Sequence, residues 1–161
     1  MAKDRHPVTP AVRALRTAGV AFVPRPYAYV EHGGTARSAS ELGVDEHCVI
    51  KTIVLETETA RPVIVLMHGD RQVSTKAMAR VLGAKSVRPC DPDAVTKHTG
   101  YQVGGTSPFG TRKSIDVYMQ ETIAALPEIL INGGKRGFLV QMSPAAVVAA
   151  IAPKLVDVAV G

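Results

Sequence analysis

The apolar positions of this chain change period several times. Val12 and Leu15 recur at helical spacing after Thr9-Pro10, a capping side chain followed by a proline suited to the first helical turn, and Gly19 stands where a helix would stop. Val20-Ala21-Phe22-Val23 reads as extended, and prolines 24 and 26 confine it to a sheet edge or an irregular lead into Tyr27 and Tyr29. Residues 36–42 suggest a short helix closed by Gly43. Two β-branched runs, Val49–Leu55 and Pro62–Met67, flank the polar stretch ETETAR and predict an antiparallel hairpin in the core sheet. Helices are predicted from Ser74 to Leu82 and from Asp91-Pro92 to about His98, each with a glycine behind it. Further strands are expected at 101–103, 114–119, 128–132 and 137–142, then a helix opening at Ser143-Pro144 and a last strand over Leu155–Val160. Strands dominate the middle and helices flank them. The fold class expected is therefore α+β, a single domain over 1–161 with a mixed, mainly antiparallel sheet.

One charge interrupts this pattern. If the strand over 49–55 alternates, Val49, Lys51, Ile53 and Leu55 share a face, which aligns a lysine with three apolar neighbours. Lys51 either snorkels to the rim or meets an anionic ligand in a cleft.

Composition narrows the classes. At 161 residues and 46% hydrophobic, the chain can bury a core without staples. Its opening residues lack the apolar stretch of a signal peptide, and AAVVAAIA at 145–152 is too short to span a bilayer, so a soluble cytoplasmic protein is expected, with no membrane partner. Cys48 and Cys90 stand apart in no metal or redox spacing and read as small thiols. Lys and Arg outnumber Asp and Glu by 19 to 14, which favours a polyanionic partner, while aromatic residues at 4% exclude a surface built from many base-stacking rings.

Several familiar chemistries fail on spacing. Neither GGTSPFGTRKS nor NGGKRG makes a phosphate-binding P-loop, and no GxGxxG follows a strand. The five histidines form no HExxH, so no metal is expected. Ser107 in GTSPFG lacks the nucleophile elbow and reads as a turn serine, with a serine hydrolase as the alternative. Two glycine-rich segments remain, TGYQVGGTSPFG at 99–110 and INGGKRG at 131–137, each close to adjacent cations, Arg112-Lys113 and Lys135-Arg136. The second can be a simple hairpin turn, or both can frame a pocket for a phosphorylated substrate through open backbone amides.

Taken in order, TPA at 9–11, IKT at 50–52, TGYQVGGTSPFG and INGGKRG resemble the YbaK family of aminoacyl-tRNA deacylases, closest to the Cys-tRNA(Pro) deacylases related to the editing domain of bacterial prolyl-tRNA synthetases. The resemblance covers nearly the whole chain. It implies a compact, twisted mixed sheet acting on mischarged tRNA at its acceptor end, without metal or organic cofactor, with prolyl-tRNA synthetase as a candidate partner. It makes Lys51 the essential lysine, holding the terminal phosphate or ribose, and lays the backbone of Gly104-Gly105 against the aminoacyl group. Tyr27, Thr52, Tyr101, Thr106, Ser107, Asn132 and Gly133 fall at substrate-binding positions, and Arg112, Lys113, Lys135 and Arg136 at tRNA-binding ones. Thr52 matches the cysteine-editing branch, where alanine-editing relatives carry asparagine. Asn132 departs from the serine of close relatives and adds bulk and an amide donor. For a cysteinyl substrate the implied chemistry is attack by its own thiol on the ester; removal of Ala, Ser or Thr by water, and a non-catalytic tRNA-binding or synthetase-binding module, are the alternatives. A monomer or weak oligomer is expected.

Overall fold

Side-chain caps start most of the helices in this computed structural model, which describes residues 6–161; the reading of the first residues as free of a leader therefore lies partly outside it. Thr9, Ser74, Asp91 and Ser143 accept the backbone N–H of Val12, Ala77, Ala94 and Ala146, opening α1 (Pro10–Thr17), α3 (Thr75–Leu82), α4 (Pro92–Thr99) and α5 (Pro144–Ile151). Only α2 (Gly34–Leu42) begins without a side-chain cap among the five. These positions agree with the helices expected from the sequence.

The sheet runs in the order β1 (Val23–Pro26), β8 (Phe138–Met142), β7 (Ile129–Lys135), β2 (Val49–Thr57), β3 (Pro62–His68), β6 (Asp116–Gln120) and β9 (Lys154–Val156), with β5 (Val87–Pro89) on β2 off this path. A separate ribbon joins β4 (Gln72–Val73) to β10 (Ala159–Val160). The β2–β7, β3–β6 and β6–β9 pairs are parallel and the others antiparallel, so the mixed, mainly antiparallel sheet agrees with the α+β reading. The β2–β3 hairpin is in register from Ile50 opposite His68 to Glu56 opposite Pro62.

Alternation divides the core. Ile50 and Val54 of β2 and Ile64 and Leu66 of β3 pack with Leu15 of α1, Val95 of α4 and Val147 of α5. Leu55, Val63, Val65 and Met67 turn the other way, onto Met78 of α3. Val49 joins Leu130, Leu139 and Ala39 of α2 in a third cluster.

Four expectations need correction. The first strand starts at Val23 rather than Val20, because the Val20 N–H closes α1 by bonding the Leu15 carbonyl at 3.0 Å. Residues 101–103 form no strand; the Tyr101 N–H bonds the Thr99 hydroxyl and the Gly105 N–H the Gln102 carbonyl, so the chain turns. The last strand divides into β9 and β10, since Gln120 takes the Val158 N–H and donates to Asp157 at 2.8 and 3.0 Å, bending the chain between them. The sequence INGGKRG is not all turn: β7 continues through Gly133 and Gly134, with an irregular register between Asn132 and Lys135.

Ile64 is fully buried between the two layers, whereas the Arg61–Asp116 pair at 2.6 Å is about half exposed. Ile64→Ala is expected to lower the unfolding free energy by about 2–5 kcal/mol, and Arg61→Ala by less than about 1 kcal/mol, in urea titrations.

Candidate active site

β2 carries the whole hairpin with β3 on one side but is only partly covered on the other. There β7 pairs with it at Val49 and Ile50, and β5 at Leu55 to Thr57. Between these ends the outer edge of residues 51–54 has no strand beside it, and only the Cys90 N–H reaches in, bonding the Val54 carbonyl at 3.0 Å. Since Val54 points to this edge, the main chain of Thr52, two residues earlier, points there too. A cavity of about 540 Å³ occupies the gap, walled among others by residues 49–54, Tyr27 and Tyr29, Glu31 and His32, Thr35 and Ser38, Cys90, Gly104 and Thr106, and Asn132 and Arg136.

Lys51 lies on the sheet face where Val49 is covered by α2 and Leu55 by α3, in the interval between the two helices. Its ammonium donates to the Arg71 carbonyl, in the turn before β4. Burial lowers its pKa below the ordinary lysine value, and Glu46 and Asp70 oppose that shift. The hydroxyl of Thr52, on the opposite face, is buried and has no hydrogen-bond partner. Such an orphan costs about 1–3 kcal/mol.

The two glycine segments lock together at the far wall. Asn132 donates from Nδ2 to the Gly104 carbonyl at 3.2 Å, and its Oδ1 accepts the N–H groups of Gly134 and Lys135 at 2.7 and 3.2 Å. Arg136 donates from Nε to the Val103 carbonyl at 3.0 Å and stacks its guanidinium 5.4 Å from the Tyr29 ring centre. A Cβ on Gly105 would come within 2.7 Å of the Arg136 nitrogen and 2.9 Å of the Lys135 carbonyl carbon. Gly104 combines a φ of +87° with a Tyr29 hydroxyl 2.7 Å from where its Cβ would sit. At Gly105 the bare backbone thus serves the contact between the two segments.

The structure brings Lys51, Thr52, Tyr27, Gly104, Thr106, Asn132 and Arg136 to one cavity. Tyr101, Ser107, Gly105, Gly133, Arg112, Lys113 and Lys135 are not in its wall. Tyr101 is a core residue: its hydroxyl donates to the Phe109 carbonyl at 2.6 Å, and burial pushes its pKa up to about 12. Ser107 is fully buried and accepts the Phe109 N–H at 3.2 Å, a turn role. Gly133 backs onto the Phe138 ring, and the Arg112 side chain lies against Gly100. Lys113 donates to His98 Nδ1 at 3.1 Å; an ammonium has no acceptor, so the proton of neutral His98 is on Nε2, which faces Glu56 at 3.2 Å. Lys135 is exposed on the hairpin.

Tyr29 and Cys90 are among the wall residues that carry no sequence expectation as ligands of the site. Tyr29 braces Arg136 and Gly104, as above. Cys90 is held by the short β5, whose three residues show no period; burial, then Glu56 and Asp91, push its thiol pKa up to about 11. Two clusters bring metal-ligand types together. In Glu56, Cys90 and His98 the Lys113 contact commits the His98 proton to Nε2. In His47, His68 and Asp70 the two rings are stacked at 3.8 Å and 6°, and both His68 nitrogens are taken up by the His47 carbonyl and the Thr122 hydroxyl. Among the described residues no helix is long and apolar enough to cross a membrane.

The sequence places this mixed sheet among the editing domains that act on aminoacyl-tRNA. Residues 31–150 match the aminoacyl-tRNA editing domain, and the chain belongs to that family. It is 28% identical over 146 residues to "Putative Cys-tRNA(Pro)/Cys-tRNA(Cys) deacylase EbsC" of Enterococcus faecalis, covering 90% of this chain and 89% of that one. A proline–tRNA ligase of Caldicellulosiruptor bescii is 30% identical over 99 residues, 62% of this chain and 17% of the ligase. The fold matches that of a crystal structure described as "a putative trans-editing enzyme for prolyl tRNA synthetase", with a TM-score of 0.84 at 22% identity over 96% of this chain and 100% of that one.

The interlock predicts its own fragility. Gly105→Ala is expected to destabilise the protein by about 1–3 kcal/mol through forced backbone displacement, and Asn132→Asp by a similar amount, because a carboxylate oxygen replaces the donor facing the Gly104 carbonyl. Urea unfolding of each variant measures this.

Proposed function

We propose that the protein removes cysteine from mischarged Cys-tRNA(Pro) in trans, with the substrate's own thiol as nucleophile. The observation that carries this reading is a cavity at the open edge of β2 that holds Lys51 and whose one serine, Ser38, is buried and donates to the Thr35 carbonyl. Ser107 is buried outside the wall, and a thiol with a pKa near 11 beside Glu56 is a poor attacker at neutral pH.

The terminal adenosine enters the gap in the edge of β2. Lys51 holds its ribose or phosphate, and the carbonyl of the ester lies toward Thr52 and the wall formed by Gly104 and Asn132. The cysteinyl sulfur then attacks the carbonyl carbon, closing a four-membered thiolactone; the bond to the ribose oxygen breaks, and the thiol proton goes to that oxygen. The protein contributes proximity and orientation. Support for the substrate end comes from the family match and from EbsC, and support for prolyl-tRNA synthetase as partner from the ligases that share this domain. Attack by water is the second route, open to Ala, Ser or Thr esters that have no thiol. Arg112, Lys113 and Lys135 stay as proposed contacts for the tRNA outside the cavity.

Deacylation of Cys-tRNA(Pro) and Ala-tRNA(Pro) by the wild type and by Lys51→Ala tests the reading. The expected result is rapid loss of cysteine, with alanine spared and activity lost in the variant. Equal loss of alanine would move the chemistry to water, and no loss of either ester would leave a binding module. A pH profile adds a check. Lys51 acts as an ammonium and burial depresses its pKa, so kcat/KM is expected to fall as pH rises through an apparent pKa below the ordinary lysine value. Lys51→Arg, if it retains turnover, should lose that alkaline limb, because arginine stays charged.

A further inference from the structure

A second concavity, of about 310 Å³, lies between α3 and the segment entering β5. Thr75, Lys76, Ala79 and Arg80 line it from the helix, and Lys85 and Ser86 are among the residues opposite. It holds three cations and no acid. Lys76, Arg80 and Lys85 are exposed, and none is ion-paired among the described residues. Lys76 and Arg80 stand four apart on one helix face, where like charges destabilise a helix. Glu58 does approach this segment: its carboxylate accepts the backbone N–H groups of Lys85 and Ser86 at 3.1 and 3.3 Å and feels the Lys85 charge, leaving Lys76 and Arg80 without an acid in the groove.

This groove is joined to the cavity by β5 itself. Ser86 and Val87 line the groove, Pro89 and Cys90 line the cavity, and between them Arg88 projects an 81% exposed side chain. Three steps of extended chain separate Val87 from Cys90, roughly 10 Å at the rise of a strand. The walls offer no aromatic ring and, apart from the hydroxyls of Thr75 and Ser86, no uncharged polar side chain that could read a base. Cations without readers are the equipment for phosphates, which position a nucleic acid without specifying its sequence.

We propose that the groove between α3 and β5 is the track for the sugar-phosphate backbone of the acceptor arm, with Lys76, Arg80 and Lys85 on its phosphates. The assignment rests on the deacylase reading for the end of the tRNA that occupies the cavity. It also implies that this chain grips tRNA through charge along β5 and α3, and that sequence discrimination lies elsewhere.

The test compares the wild type with a Lys76→Gln, Arg80→Gln, Lys85→Gln triple variant and with Arg80→Glu alone, all checked for folding by circular dichroism. Binding of uncharged tRNA(Pro) is followed by fluorescence anisotropy across a salt series, and deacylation is measured on full-length aminoacyl-tRNA and on aminoacyl-adenosine. The triple variant is expected to lose about tenfold or more in tRNA affinity at low salt, and the slope of log affinity against log salt to shrink by roughly 2 to 3 for three lost phosphate contacts. KM for full-length substrate should rise with kcat unchanged, and cleavage of aminoacyl-adenosine should keep its rate. An unmoved salt slope, an equal loss on aminoacyl-adenosine, or wild-type tRNA affinity in Arg80→Glu would overturn the track. Loss of binding to an acidic partner protein with tRNA binding intact would do the same. A wild type that binds tRNA with the expected slope but cleaves neither ester removes the deacylase reading and leaves the groove; normal cleavage with an unmoved slope does the reverse.

Discussion

The interrupted edge of β2 is the constraint on which the site depends. β3 holds that strand throughout, while β7 and β5 reach it only at opposite ends, so a length of sheet edge is kept open inside the fold. An open edge normally invites pairing with another chain, and buried backbone groups normally demand partners. Here the Tyr27–Tyr29 segment, the glycine segments and Cys90 surround the edge and leave a guest-sized volume instead. The same interruption accounts for Lys51. On its face of the sheet α2 packs over one end of the strand and α3 over the other, and the lysine falls in the uncovered interval.

The opposite wall is made rigid by main chain rather than by bulk. Asn132 uses both ends of its amide to tie one glycine segment to the other, Arg136 adds a bond to Val103, and Gly105 lets the two backbones approach to a distance that any larger residue would forbid. A wall fixed in this way has few ways to adapt. Asn132 therefore bears on the position of the Gly104 carbonyl as well as on the size of the cavity.

Much of this was legible in the sequence, and the parts that were not share a cause. Caps at Thr9, Ser74, Asp91 and Ser143 announce their helices, and the alternation of Val49 to Leu55 announces a half-buried lysine, because these signals are local. The strands β4, β5 and β10 are two or three residues long and carry no period, so the pairing of β5 that creates the gap and brings Cys90 into the wall could not be read. The glycines of TGYQVGGTSPFG raised the right question, but glycine does not say what approaches it. At Gly105 the neighbour is the protein's own backbone, and Tyr101 and Ser107, close by in sequence, turn into the core. Resemblance located the segment, and only packing separates its wall residues from its supports.

The cavity's chemistry follows from what each wall residue is free to do. The Cys90 thiol is held protonated by burial and by the carboxylates of Glu56 and Asp91. Tyr27 is likewise pushed toward its neutral form by burial. Lys51 donates to a carbonyl and serves as a cation, while Asn132 and Thr106 have hydrogen bonds to the protein's own backbone. The Thr52 hydroxyl is, among the described residues, a buried polar side-chain atom without a partner, and the wall also carries Glu31 and His32. With the thiol and the phenol held neutral, the wall offers the Lys51 ammonium and backbone groups for holding an aminoacyl ester in place.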